Sequence, residues 1–105
     1  MEFTEVLFSR RSVRSFSQKP ISEKELETIL EAGRVAPSFQ NRQCWRFVVV
    51  RKEEIRRQLA LKSGLIGKVN FFIKDAPVII VACADSTKSG KMNGQKYYLV
   101  DTAIA

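Results

Sequence analysis

The sequence predicts an α+β fold, and three observations carry that prediction. Leu26, Ile29, Leu30 and Gly33 recur at helical spacing behind a helix-start signature. Two runs, Phe47-Val48-Val49-Val50 and residues 77–84, are almost continuously apolar and rich in β-branched side chains, the pattern of strands buried on both faces. Further helical patterns lie before, between and after these runs. With 105 residues and a 45% apolar share, the chain is at most one domain and has material for a core. A chain this long buries roughly two-thirds of the surface its unfolded form exposes.

The elements follow in order. Phe3, Val6 and Leu7 predict a short first helix that ends near Arg10, with Thr4 as its expected cap. Lys19-Pro20-Ile21 breaks the chain. Ser22-Glu23-Lys24-Glu25 then reads as a capping box, in which the Ser22 hydroxyl accepts the Glu25 amide and the Glu25 carboxylate reaches back. Gly33, on the apolar face of this second helix, is suited to close packing. Pro37 disfavours helical geometry at Ala36, so the helix stops there and residues 38–43 are an irregular loop. A strand covers 45–51 and a helix 53–61, where Ile55 and Leu59 stand four apart. Gly64 and Gly67 punctuate the next loop. Phe71-Phe72-Ile73 is ambiguous. After the strand at 77–84, residues 85–94 are polar and read as a surface loop, and a last helix runs from Lys96 onward.

Composition narrows the function classes. The net charge is +7, from 18 Lys plus Arg against 11 Asp plus Glu, which favours anionic partners such as phosphates and nucleotides. The charge is spread along the chain rather than gathered in a tail, which argues against a nucleic-acid arm; a folded basic face for a polyanion is the alternative reading. Without histidine, imidazole acid–base catalysis and His metal sites are excluded within this segment, and no metal is expected. Cys44 and Cys83 lie far apart in apolar settings and read as buried free thiols, with a structural disulfide as the alternative. Glu2, Glu5 and Arg10 interrupt any secretory apolar core, and the longest apolar run is too short to span a bilayer. A reducing, cytoplasmic setting is the expectation.

Two polar clusters carry the functional signal. Arg10-Arg11-Ser12-Val13-Arg14 packs three guanidiniums and a hydroxyl into five residues. Guanidinium forks match phosphate oxygens in pairs, and serine adds a donor. Alternatively, Arg10 and Arg11 complement the negative end of the first helix. The second cluster is Pro37-Ser38-Phe39-Gln40-Asn41-Arg42-Gln43. Its amides offer donors and acceptors for the edge of a heteroaromatic ring. The bland alternative is a connection whose Ser and Asn make turn bonds.

These motifs resemble those of the nitroreductase family of flavin mononucleotide (FMN) enzymes. The family's R-R-S-x-R-x-F is matched from Arg10 to Phe16, and its A-P-S-x-x-N-x-Q-P-W by Ala36 to Trp45, with Cys44 where the family usually has proline. Asp75-Ala76-Pro77 and the stretch from Tyr97 to Ala105 are supporting matches. The resemblance implies a three-layer α/β/α sandwich with a central mixed sheet, of which residues 1–105 are the N-terminal part of a single domain whose C-terminal part lies outside this chain. It implies that Arg10, Arg11, Ser12 and Arg14 hold the FMN phosphate and ribityl chain, with Val13 and Phe16 pointing into the core. It implies further that Pro37, Ser38, Phe39, Asn41 and Gln43 approach the flavin ring from the partner of a homodimer. Hydride would pass from NADH or NADPH through the flavin to a small-molecule acceptor, a nitroaromatic, quinone or activated alkene, and these motifs supply no catalytic acid or base. Dehalogenases and flavin-fragmenting enzymes share the fold and remain alternatives.

Overall fold

The computed structural model describes residues 1–64 and 69–105. The mark at Gly67 lies outside the described residues. The chain runs α1 (Phe3–Ser9), α2 (Glu23–Arg34), a 3-10 turn (Phe39–Asn41), β1 (Trp45–Val50), α3 (Glu53–Lys62), a 3-10 turn (Phe71–Asp75), β2 (Ile79–Ala84), β3 (Lys91–Met92), β4 (Gln95–Lys96) and α4 (Tyr98–Ile104). The predicted alternation of helices and strands is present.

The capping box at the start of α2 forms as the sequence predicts: the Glu25 amide donates to Ser22 Oγ at 3.2 Å, and the Ser22 amide donates to Glu25 Oε2 at 2.8 Å. Thr4 does not cap α1; Glu2 occupies the cap position and offers no side-chain bond. The ambiguous Phe71 region is a 3-10 turn whose Phe72 ring lies against Phe16, with centroids 6.1 Å apart.

β1 and β2 pair antiparallel, from Trp45 opposite Ala84 to Val50 opposite Ile79. α4 packs across both strands and α3 against the Phe71–Asp75 turn. α2 closes onto β1 at Gly33, where an added Cβ would stand 2.8 Å from Phe47 Cζ. The small residue there sets the helix-to-sheet distance. Leu26, Cys44, Trp45, Ala60 and Ala76 form the buried core. Arg56 staples the α3 side: its guanidinium donates to the carbonyls of Lys74 (2.9 Å), Arg51 (3.1 Å) and Ala76. An Arg in a basic stretch is thus a structural tie rather than a solvated charge.

Burial departs from expectation in three places. Among the described residues, β1 and β2 are not covered on both faces: Val48 is 50% exposed, and Ala82 and Cys83 are exposed. A two-stranded sheet offers too little width to be enclosed by the helices present. Cys83 is therefore an exposed free thiol, whereas Cys44 is buried as predicted. α1 buries none of its apolar residues; Phe3 and Phe8 are 79% and 80% exposed.

The polar stretch 85–94 contains a second correction. It is not all loop: β3 and β4 form a hairpin around Asn93 and Gly94, whose φ angles are 51° and 79°. An Asn-Gly pair supplies the left-handed conformations that a two-residue hairpin turn requires. Among the described residues, no helix is long and apolar enough to cross a membrane.

Candidate functional site

Residues 37–43 form a turn held by its own chain. Pro37 ends the run from α2, and Ser38 opens the 3-10 turn in extended geometry. Three non-glycine residues then adopt left-handed backbone: Gln40 (φ 53°), Asn41 (52°) and Gln43 (50°). Each such residue costs on the order of 1–2 kcal/mol, so the turn persists only because its surroundings over-determine it.

The ties are visible. Ser38 Oγ accepts the Gln43 amide at 3.0 Å, closing the turn on itself. The Ser38 carbonyl accepts the Asn41 amide at 3.0 Å. Arg46 Nη1 donates to the Gln43 carbonyl at 3.3 Å and to the Trp45 carbonyl at 2.6 Å. From α4, Asp101 Oδ1 accepts the Phe39 amide at 3.1 Å. The Phe39 ring stacks on Tyr97 with centroids 4.3 Å apart and planes 13° from parallel. Its other neighbour is Gly90, where a Cβ would fall 2.3 Å from Phe39 Cδ1. With its main chain tied, the turn leaves the Asn41 and Gln43 side chains exposed. Gln43 also lines an open groove of about 860 Å³ with Leu30, Trp45 and Phe47, and the Arg34–Glu31 pair borders it. The Arg34 hydrogen bonds hold the Glu31 carboxyl below its ordinary range.

The arginine segment is built differently. Residues 10–14 lie between α1 and α2 with no regular structure, and Arg10, Arg11, Ser12 and Arg14 are all exposed. Among the described residues, no carboxylate forms an ion pair with any of these three guanidiniums. Arg34 and Arg51, by contrast, are each bound to a glutamate. Val13 does not point into the core; it is 59% exposed, because no described element packs over the segment. Phe16 is half-buried against Phe72.

The single chain thus assembles Ser38, Phe39 and Gln43 into one ordered turn. Among the described residues, no side-chain hydrogen bond joins that turn to the arginine segment. Sequence reasoning missed Asp101, Tyr97, Gly90 and Arg46 as supports of the turn. Asp101 carried a signal: it is the sole charged residue of the apolar stretch from Leu99 to Ala105. Gly90 and Tyr97 carried none, because packing partners 51 and 58 residues from Phe39 leave no local pattern.

The chain is thus an α+β fold with a tied, amide-bearing turn and, among the described residues, an arginine segment without ion pairs. A model described as the nitroreductase family matches residues 7–64, more than half of the sequence, and the chain belongs to that family. It is similar to a Thermus thermophilus protein named NADH dehydrogenase, with 42% identity over 76 residues that cover 72% of this chain and 35% of the relative. Among solved structures, it matches a nitroreductase family protein from Clostridium novyi NT with TM-score 0.85 and 32% identity, covering 99% of this chain and 59% of that one. An FMN-dependent nitroreductase from Clostridium difficile R20291 matches with TM-score 0.80 and 30% identity, covering 97% of this chain and 54% of that one. The chain spans about half the length of the curated relatives it matches.

Proposed function

We propose that residues 1–105 are the N-terminal part of an FMN-binding domain in a homodimeric oxidoreductase. The enzyme would take hydride from NADH or NADPH and deliver it to a nitroaromatic, quinone or activated-alkene acceptor. The observation that carries the reading is the presence of guanidiniums at Arg10, Arg11 and Arg14 that no carboxylate pairs among the described residues, together with a tied turn that presents Asn41 and Gln43. Family membership and the names of the relatives support it. A cytoplasmic location belongs to the same proposal.

The residues present fit FMN. A dianionic phosphate needs donors that no carboxylate has already claimed, and this is the state of Arg10, Arg11 and Arg14; Ser12 adds a hydroxyl. Each charge-assisted bond contributes about 1.5–3 kcal/mol before desolvation. Asn41 and Gln43 can donate to and accept from the polar edge of a flavin ring. Pro37 and Ser38 fix the start of the turn. Phe39 supports the turn by stacking inward on Tyr97, so any contact it makes with the ring would be with an edge left uncovered. FMN, when bound, would supply the hydride-accepting and hydride-donating chemistry. The chain's own residues bind, orient and partly enclose it. With the turn on one subunit and the arginines on the other, each site would need two chains.

The nucleic-acid alternative is weakened by where the basic residues go. Arg51 is bound to Glu23, and Arg56 to main-chain carbonyls. The deciding experiment is a visible spectrum of the purified protein and a titration with FMN, followed by NADH and NADPH oxidation in the presence of a quinone or nitroaromatic. A yellow protein that oxidises either nicotinamide supports the reading. A colourless protein that takes up no FMN refutes it, and flavin breakdown or dehalogenation instead of acceptor reduction would move the chemistry to another branch of the fold.

A further inference from the structure

We propose that Asp101 is a positioning residue for the flavin site: from α4 it holds the turn at 37–43 in the geometry that aims Asn41 and Gln43. The inference rests on the FMN reading above and adds a residue to it.

Asp101 is 2% exposed, the one buried charged residue among those described. It stands in a helix whose other residues from Leu99 onward are apolar or carry only a hydroxyl. Burying a carboxyl is costly unless its oxygens are bonded. Here one oxygen, Oδ1, accepts the Phe39 amide at 3.1 Å, while Oδ2 is buried with no partner. An apolar side chain would pack this position at less cost. Among the described residues, the one hydrogen bond its side chain makes is with the amide of Phe39, 62 residues away. That turn is where left-handed residues accumulate, at Gln40, Asn41 and Gln43.

Three contacts converge on Phe39. Asp101 takes its amide, Tyr97 covers one face of its ring, and Gly90 leaves room for the ring edge. Tyr97 caps α4, and its amide donates to the Gly90 carbonyl at 3.0 Å. The β3–β4 hairpin and α4 therefore form one bracket around Phe39. The Ser38–Gln43 bond closes the turn from inside, whereas the Asp101 bond ties its main chain to α4.

The test combines amide hydrogen exchange with FMN titration on the purified protein. Asp101→Ala should expose the Phe39 amide to exchange, weaken FMN about tenfold, and alter the visible spectrum of the bound flavin, with helical circular dichroism preserved. Asp101→Asn, whose Oδ1 still accepts, should restore the protection, the affinity and the spectrum. Should Asp101→Ala fail to fold, Asp101→Ser, polar but too short to reach the Phe39 amide, should give the same exposure and the same loss. A Phe39 amide that stays protected in these variants overturns the proposal. So does a Phe39 amide that becomes exposed while FMN affinity holds, or an Asn variant as impaired as the Ala variant. A wild-type protein that takes up no FMN removes the flavin reading and with it the positioning role, and the exchange data then report separately whether Asp101 holds the turn.

Discussion

The turn at 37–43 and the segment at 10–14 are equally polar in sequence and opposite in structure. In the turn, main-chain groups are bonded to Ser38, Arg46 and Asp101, and the Phe39 ring is stacked on Tyr97. In the segment, the three guanidiniums meet no carboxylate among the described residues, and even Val13 is exposed. On the proposed function, the difference would show how a binding site divides its labour. A ring edge would have to be read by groups at defined angles, which a turn tied through its main chain supplies. A phosphate is recognised mainly by charge, so long flexible side chains suffice. They must, however, be left unpaired, or a carboxylate would have to be displaced first.

The largest effect expected to break the comparison comes from Gly90→Val. The new side chain would drive into the Phe39 ring, and overpacking of this kind costs about 1–3 kcal/mol. Urea unfolding should show a loss near the top of that range. An unchanged midpoint would mean that the turn is not braced by the hairpin.

Arg14→Ala should act on the other region alone. It should weaken FMN by about 2 kcal/mol, roughly thirtyfold, while stability stays within about 0.5 kcal/mol of wild type. The loss should shrink in high salt, because an exposed charge is screened. A stability loss with intact affinity would reverse the roles assigned to the two regions.

Arg56→Ala should show the mirror image. Removing a guanidinium that satisfies the Lys74 and Ala76 carbonyls should cost about 1–2 kcal/mol of stability. FMN affinity, measured on the folded protein, should not change. Two arginines in one basic chain would then separate cleanly, one by binding and one by folding.

The smallest effect is on acid stability. Hydrogen bonds from Arg51, Ser22 and Arg34 hold Glu23, Glu25 and Glu31 below the ordinary carboxylate range, and Thr87 does the same for Asp85. A depressed carboxyl contributes stability that is complete above its unfolded pKa, near about 4, and is lost as pH falls through the lower folded value. The thermal midpoint should therefore be flat near neutrality and decline slightly below about pH 4. These groups are exposed, so the decline should be gentle and salt-sensitive. Glu23→Gln should flatten it further, whereas a steep fall beginning above about pH 5 would require a different titrating group.

Local rules make much of the chain legible from its residues alone. The Ser22–Glu25 capping box, the α2 stripe and the two strands depend on neighbours within a few positions, and each forms within two residues of its expected limits. The Asn93-Gly94 hairpin is equally local, yet its signal is masked by the polar stretch around it. By its motifs the sequence also determined the family and the residue types suited to phosphate and ring. Only the tertiary structure decided which arginines stay free, that Arg56 turns inward, that Cys83 is exposed, and that Phe39 packs against Tyr97 and Gly90. It alone decided that Asp101 reaches back to the turn. The physical reason is range: capping and periodicity act between residues close in sequence, whereas burial, stacking and a buried carboxyl's choice of partner are set by groups that only folding brings together.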